Sequence, residues 1–223
     1  SAGAVALCTE LTGHRDDRMG ASITTLAWMT ALLPADCGVA DDAVKEGMIP
    51  KLLGVVSAGG PHRRDLQMAA VVCLHWLLEA SCTPLPPISG ANVHALINLH
   101  DSLAQNASGY HTSTLPTNLN RASIGTAKVD FHVAALFSLM RRGPHNVVCD
   151  ALFTSDRVDD LIEALEDPSD GTVVFSAGLL AGLASAYPSV RDEALAAGAV
   201  EHLVRCATPD KRIDAATRSF RIR

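Results

Sequence analysis

Apolar residues recur along this chain at helical spacing, and one short pattern returns several times. Ile49-Pro50-Lys51-Leu52-Leu53, Val93-His94-Ala95-Leu96-Ile97, Val158-Asp159-Asp160-Leu161-Ile162 and Val200-Glu201-His202-Leu203-Val204 align without gaps. Each begins with a branched apolar residue and has apolar residues three and four positions later, which lie on one face of a helix. Val5 heads a weaker fifth copy. The copies start at positions 5, 49, 93, 158 and 200, at intervals of 44, 44, 65 and 42. The long interval is one period plus an insertion of about 20 residues, and a period of this size is the mark of a repeat architecture.

A second helix follows each copy. Leu66, Ala69, Ala70, Cys73, Leu74 and Leu77 form a stripe wide enough to be buried along most of one side. Its counterparts span Ile23 to Leu33, Val129 to Met140 and Val173 to Ala184. In the last of these, Ser176, Ala177, Gly178, Ala181, Gly182 and Ala184 are expected to let neighbouring backbones approach closely, since glycine otherwise only weakens a helix. The joints repeat as well. Val44-Lys45-Glu46-Gly47 and Leu195-Ala196-Ala197-Gly198 each end a short helix with a glycine placed to take the left-handed cap conformation. Ser189, after Pro188, is expected to cap the short helix that ends at Gly198, and Thr208-Pro209 repeats the device. The unit is therefore short helix, glycine, helix, turn, long helix. Repeats fall at about 1–40, 41–83, 84–143, 144–188 and 189–223, the last one partial.

Together these segments resemble the armadillo repeat family. The resemblance rests on Glu46-Gly47-Met48-Ile49-Pro50-Lys51-Leu52-Leu53 with Leu66-Gln67-Met68-Ala69-Ala70, and on Ala197-Gly198-Ala199-Val200-Glu201-His202-Leu203-Val204. They look like that family's second helix and the start of its third, and the match extends in register over nearly the whole chain. HEAT repeats share the period but usually lack the short first helix and its glycine, so they rank second. The resemblance implies an all-α fold: a right-handed α-α superhelix, or solenoid, of four to five partial or complete repeats with one long insertion. Neither end carries an obvious polar cap of the kind terminal solenoid repeats need. The expectation is a segment of a longer protein, begun inside one repeat near Gly3-Ala4-Val5 and ended inside another near Phe220.

The third unit departs from the period. Thr83-Pro84-Leu85-Pro86-Pro87 stands where a short first helix belongs, and three prolines in four residues forbid one. Residues 105–128, rich in Asn, Ser, Thr and Gly, then separate its two long helices as a surface loop. That loop is read first as a spacer. It also carries Tyr110 and Arg121, side chains suited to ordering against a partner.

Composition narrows the function classes. The 223 residues are 48% hydrophobic and only 4% aromatic, so the core must be built from Ala, Leu and Val in close-packed helices. The longest apolar run, Met68 to Leu78, is interrupted by His75 and is about half of what a bilayer span requires. A net charge of −6 gives no general nucleic-acid footprint. Acids crowd residues 150–170 and bases crowd residues 205–223, most simply as solvated helix faces and alternatively as strips that steer a charged partner. Six cysteines without a CxxC suggest reduced, buried thiols in a cytoplasmic or nuclear protein. Ser1-Ala2-Gly3-Ala4-Val5 has neither the basic region nor the apolar run of a secretion signal. The sequon Asn106-Ala107-Ser108 carries little weight.

Enzymatic patterns are missing: there is no Gly-rich phosphate loop, no GxSxG and no HExxH. His145 with Cys149, and His202 with Cys206, have the i, i+4 spacing of two metal ligands on one helix face, but two ligands do not make a site. Cys206 reads as core and His202 as surface. Cys73 and His75 face different ways on their helix. The pairs Asp41-Asp42, Asp159-Asp160 and Asp192-Glu193 each sit at a helix start, where negative charge offsets the dipole. The expectation is no catalysis, no cofactor and no metal.

Binding has a clearer mechanism, because stacked third helices of a solenoid line a concave face along which a partner can run. Aligning them on Leu26, Leu74, Leu136 and Leu180 puts Trp28, Trp76, Ser138 and Gly182 at one rung. In the armadillo adaptors that read nuclear localisation peptides, that rung is Asn, with Trp one turn earlier. Here the earlier positions hold Thr24, Val72, Ala134 and Gly178, which disfavours an import adaptor. Trp28 and Trp76 are read either as core filling or as aromatic anchors of a groove. Glu79, Arg141 and Arg142 lie one turn beyond the rung and supply a polar rim. The expected function is a protein-interaction scaffold or adaptor that takes a peptide or folded domain on its concave face. The alternatives are a chaperone cofactor or cargo adaptor, a structural subunit of a large assembly and, last, a metal-dependent enzyme.

Overall fold

The structure, a computed structural model, describes residues 16–32, 38–58, 64–104, 131–166 and 170–207, and among these every regular element is a helix. In chain order they are α1 (Asp16–Leu32), α2 (Val39–Lys45), α3 (Met48–Ser57), α4 (Arg64–Ala80), α5 (Gly90–Ala104) and α6 (Phe131–Arg142). After these come α7 (His145–Thr154), α8 (Val158–Glu163), continued by a 3-10 turn at Ala164–Glu166, then α9 (Asp170–Ala186), α10 (Pro188–Ala196) and α11 (Ala199–Ala207). No described helix is long and apolar enough to cross a membrane.

The long helices pack in series, α1 on α4, α4 on α6 and α6 on α9. Alongside them α3 packs on α5, α5 on α7, and α8 on both α9 and α10. Every extensive contact among the described residues stays within one repeat unit or joins it to the next. Helix α4 shows the consequence. It is flanked by α1, α2, α3 and α6, so from Ala69 to Leu78 only Trp76 escapes full burial. A helix that is apolar nearly all round belongs at such a centre.

The joints follow the expected chemistry. Gly47 and Gly198 both stand at φ +76, the left-handed region, and in each case the next helix begins at the following residue. The fourth unit makes a related joint without glycine: Asp156 takes φ 55 between α7 and α8, one residue earlier, and Arg157 at φ −99 leads into α8. Aspartate is among the few side chains that tolerate this region.

Ser189 is a correction. Helix α10 starts at Pro188, whose fixed φ suits the first helical position, and the preceding Tyr187 is held extended at φ −127 and ψ 106 with no side-chain cap. Ser189 therefore lies inside the first turn, and Asp192 and Glu193 fall in mid-helix, away from the start. Asp41 and Asp42 of α2, and Asp159 and Asp160 of α8, do occupy first turns. Thr208 and Pro209 lie outside the described residues.

No helix forms between Ala80 and Gly90, as the prolines require. Two side chains hold this extended stretch in place of a helix. Asp41 Oδ1 accepts from Ser81 Oγ (2.6 Å), Cys82 N (2.7 Å), Thr83 N (2.8 Å) and Thr83 Oγ1 (2.8 Å), and these bonds hold its carboxyl well below the usual carboxylate range. From the other side, the Arg142 guanidinium donates to the carbonyl oxygens of Leu78 and, at 2.9 Å, Thr83.

The small residues of α9 serve side chains more than backbones. A Cβ built on Gly178 would stand 2.2 Å from the Phe137 ring, and one on Gly182 would stand 2.4 Å from Met140 Sδ. Both glycines are sockets for side chains of α6. A second departure is the fourth copy of the repeated pattern. Ile49, Val93 and Val158 are buried, whereas Val200 is 48% and Val204 60% exposed, because no described element covers that face of α11.

Candidate partner-binding face

Where α4 lies against α6, the fold brings together Trp76, Glu79, Ser138, Arg141 and Arg142. Ser138 Oγ lies 2.7 Å from Glu79 Oε1, 2.9 Å from the Ala134 carbonyl oxygen and 3.3 Å from His75 Nδ1. A hydroxyl has one proton, and a carboxylate is a stronger acceptor than a carbonyl, so Ser138 donates to Glu79. Its lone pair then accepts from His75, which fixes the neutral imidazole with its proton on Nδ1. The other Glu79 oxygen, Oε2, pairs with Arg141 Nη2 at 3.2 Å. A relay thus runs from the core to the surface in the order His75, Ser138, Glu79, Arg141.

Its inner end is apolar. His75 is buried among rings, with centroids 5.0 Å from Trp76, 5.8 Å from Phe131 and 5.7 Å from Phe175. Burial drives its pKa down to about 4; Glu79 and the Ala134 carbonyl oppose this by favouring the protonated form, and Arg141 adds to the lowering. His75 is therefore neutral near pH 7. The outer end is wet, with the Glu79 side chain 27% and that of Arg141 54% exposed. The Arg141 guanidinium also sits over the Phe137 ring, 5.9 Å from its centroid.

The rung expected to face a partner is only partly available to one. Ser138 is fully buried and touches no partner directly; its bond to Glu79 positions the rim. Trp76 is half-buried against the core, and its buried Nε1 finds no acceptor among the described residues. Arg142 is turned toward the extended stretch at Thr83 and holds the fold there. Gly182 is covered by Met140. Trp28 lies on α1, but its side chain, like all of Tyr110 and Arg121, lies outside the described residues. Glu79, Arg141 and the open part of Trp76 remain as the presented surface.

Two members of the face, His75 and Phe137, escaped sequence reasoning. The signal for His75 was its position as the lone polar residue inside the Met68 to Leu78 run. Phe137 had the weaker signal of lying four residues before Arg141.

The paired ligands stand differently. His202 Nε2 lies 3.4 Å from Glu166 Oε1 at the surface, and the side chain of Cys206 is outside the described residues. His145 and Cys149 do meet, with Nε2 and Sγ 3.5 Å apart. Among the described residues no cluster of three His, Cys, Asp or Glu side chains occurs. Among the described residues, Cys73, Cys82 and Cys149 form no disulfide.

No family model matches the chain, and no curated protein matches it. Among solved structures it is similar to the crystal structure of an engineered protein from the Northeast Structural Genomics Consortium. The TM-score is 0.52 at 17% identity, over 96% of this chain and 74% of that one. The likeness is one of fold, in keeping with an all-helical chain of repeat-like units.

Proposed function

We propose that this chain is an armadillo-like, right-handed superhelix that acts as a protein-interaction scaffold or adaptor. The observation that carries the reading is the Glu79–Arg141 pair. It bridges two successive long helices at their exposed edge, beside the half-open Trp76, and its geometry is fixed from beneath by Ser138 and His75. A rim held in place before a partner arrives loses less conformational entropy on binding. Trp and Arg are also the side chains most enriched at interface hot spots. The serial packing of α1, α4, α6 and α9 supports a shared face along which a peptide or a folded domain lies. The reading includes no catalytic step and no cofactor, and places the protein in the cytoplasm or nucleus.

The test compares partners captured by the full-length protein with those captured by Trp76→Ala and Arg141→Glu, using quantitative mass spectrometry. Each variant is expected to weaken the capture of one common set by about tenfold or more, with helix content unchanged. Unchanged capture by Arg141→Glu, together with a large loss of thermal stability in Trp76→Ala, would return both residues to a structural role.

One observation favours a second reading, a structural subunit of a larger assembly. Leu195, Val200, Leu203 and Val204 expose an apolar face on α10 and α11. Such a face suits stacking against a further repeat or another chain.

A further inference from the structure

The joint between α6 and α7 gathers a thiol, a thioether and an imidazole close in space. Cys149 Sγ is 3.5 Å from His145 Nε2 and 3.9 Å from Met140 Sδ. Gly182 of α9 closes the third side: a Cβ there would stand 2.4 Å from Met140 Sδ and 3.3 Å from His145 Cε1, so both side chains lie against the same point. Only a residue without a Cβ leaves room for the Met140 thioether to lie at this joint. Cys149 and Met140 are buried, whereas His145 is exposed and gives an ion a route in from solvent.

We propose that Cys149, Met140 and His145 form a three-coordinate site for a soft monovalent metal ion, Cu(I). Thiolate and thioether together select Cu(I) over the harder divalent ions, and imidazole completes the set. The geometry agrees. With metal–sulfur bonds of about 2.3 Å and metal–imidazole bonds of about 2.0 Å, a trigonal ion needs donors about 4.0 Å apart for S and S and about 3.7 Å for S and N. The two distances from Cys149 Sγ, 3.9 Å to Met140 Sδ and 3.5 Å to His145 Nε2, are near these values. On binding, Cys149 loses its proton to solvent and a Cu–S bond replaces the S–H bond. Copper arrives and remains as Cu(I), so no electron is transferred. The thiolate cancels the charge of the ion, which lets the complex stay in an apolar interior. Zinc is disfavoured, because it takes four donors and has little affinity for a thioether.

The test is anaerobic titration of the full chain with Cu(I) supplied as its bicinchoninate complex, which reads affinity by competition. The wild type is expected to take up one ion more than Cys149→Ser, since the remaining cysteines are common to both. Met140→Leu, nearly equal in volume, and His145→Gln are each expected to weaken that uptake by about tenfold or more, as a lost ligand costs at least as much as a lost outer-shell partner. X-ray absorption of the loaded wild type is expected to show two sulfur donors and one nitrogen. Identical titrations of wild type and Cys149→Ser would overturn the site, and so would wild-type binding by either Met140→Leu or His145→Gln. Melting curves of the metal-free variants check folding, and Met140→Leu keeps the test decisive if Cys149→Ser is unstable.

Discussion

Ser138 on α6 reaches across to Glu79 on α4, its hydroxyl 2.7 Å from the carboxylate, and this one bond ties a buried histidine to an exposed ion pair. Such a surface pair is worth little by itself. Its order comes from below. Ser138→Ala removes the donor to Glu79 and the acceptor of His75 together, leaving a buried imidazole N–H poorly satisfied. The expected cost is about 1–3 kcal/mol of stability, measured by denaturant unfolding. A loss under about 0.5 kcal/mol would mean that the neighbouring Ala134 carbonyl takes over the His75 proton in full.

The same histidine sets a pH dependence. Its pKa falls from 6.5 in the unfolded chain to about 4 in the fold, so between these values the unfolded state binds the extra proton. Stability from this group is complete above pH 6.5 and declines as the pH drops toward 4, by about 3 kcal/mol in all. Asp41 acts lower down. Its carboxyl is depressed, so its contribution is present above the ordinary carboxylate range and is lost only in stronger acid. Unfolding free energies for wild type and His75→Leu at pH 7, 5.5 and 4.5 check the assignment. The wild-type slope is expected to be the steeper, and equal slopes would take the effect away from His75.

Two helical glycines are expected to respond to alanine with opposite signs. Gly54 on α3 has open space where a Cβ would go, so Gly54→Ala gains helix propensity, about 1 kcal/mol. Gly178→Ala gains the same propensity but drives a Cβ to within 2.2 Å of the Phe137 ring. Overpacking of this kind costs about 1–3 kcal/mol, and so severe an overlap belongs at the upper end. The expected net effect is a loss of about 1–2 kcal/mol, read from melting curves of the two variants side by side. A stabilised Gly178→Ala would show that the Phe137 ring swings aside freely.

Much of the architecture is legible in the chain itself, for physical reasons that differ from one feature to the next. The glycine joints are local events: only a few residue types accept a positive φ, and Gly47 and Gly198 stand where the pattern asks for one. Asp156 carries no such signal, because aspartate takes a positive φ only at some cost and is common elsewhere. The missing first helix of the third unit was as clear, since proline forbids it outright. Ser189 was misplaced because its neighbour Pro188 has the stronger claim on the start of α10. Of the candidate face, Trp76, Glu79 and Arg141 are legible from the alignment of repeats, whereas the burial of Ser138 is not: alignment predicts position along a helix and says nothing of depth.

The order of helices, their glycine joints, the lost element and the all-helical class were determined by the sequence alone, because each follows from interactions within about one helical turn. The tertiary structure decided which faces meet. It alone placed His75 among three rings, linked Ser138 to Glu79, lodged Phe137 and Met140 over glycines of α9, and set Met140 beside His145 and Cys149. Each of these depends on how far one helix is shifted and rotated against its neighbour. That register is fixed by the sum of many packing contacts along the whole interface, and no short stretch of chain contains it.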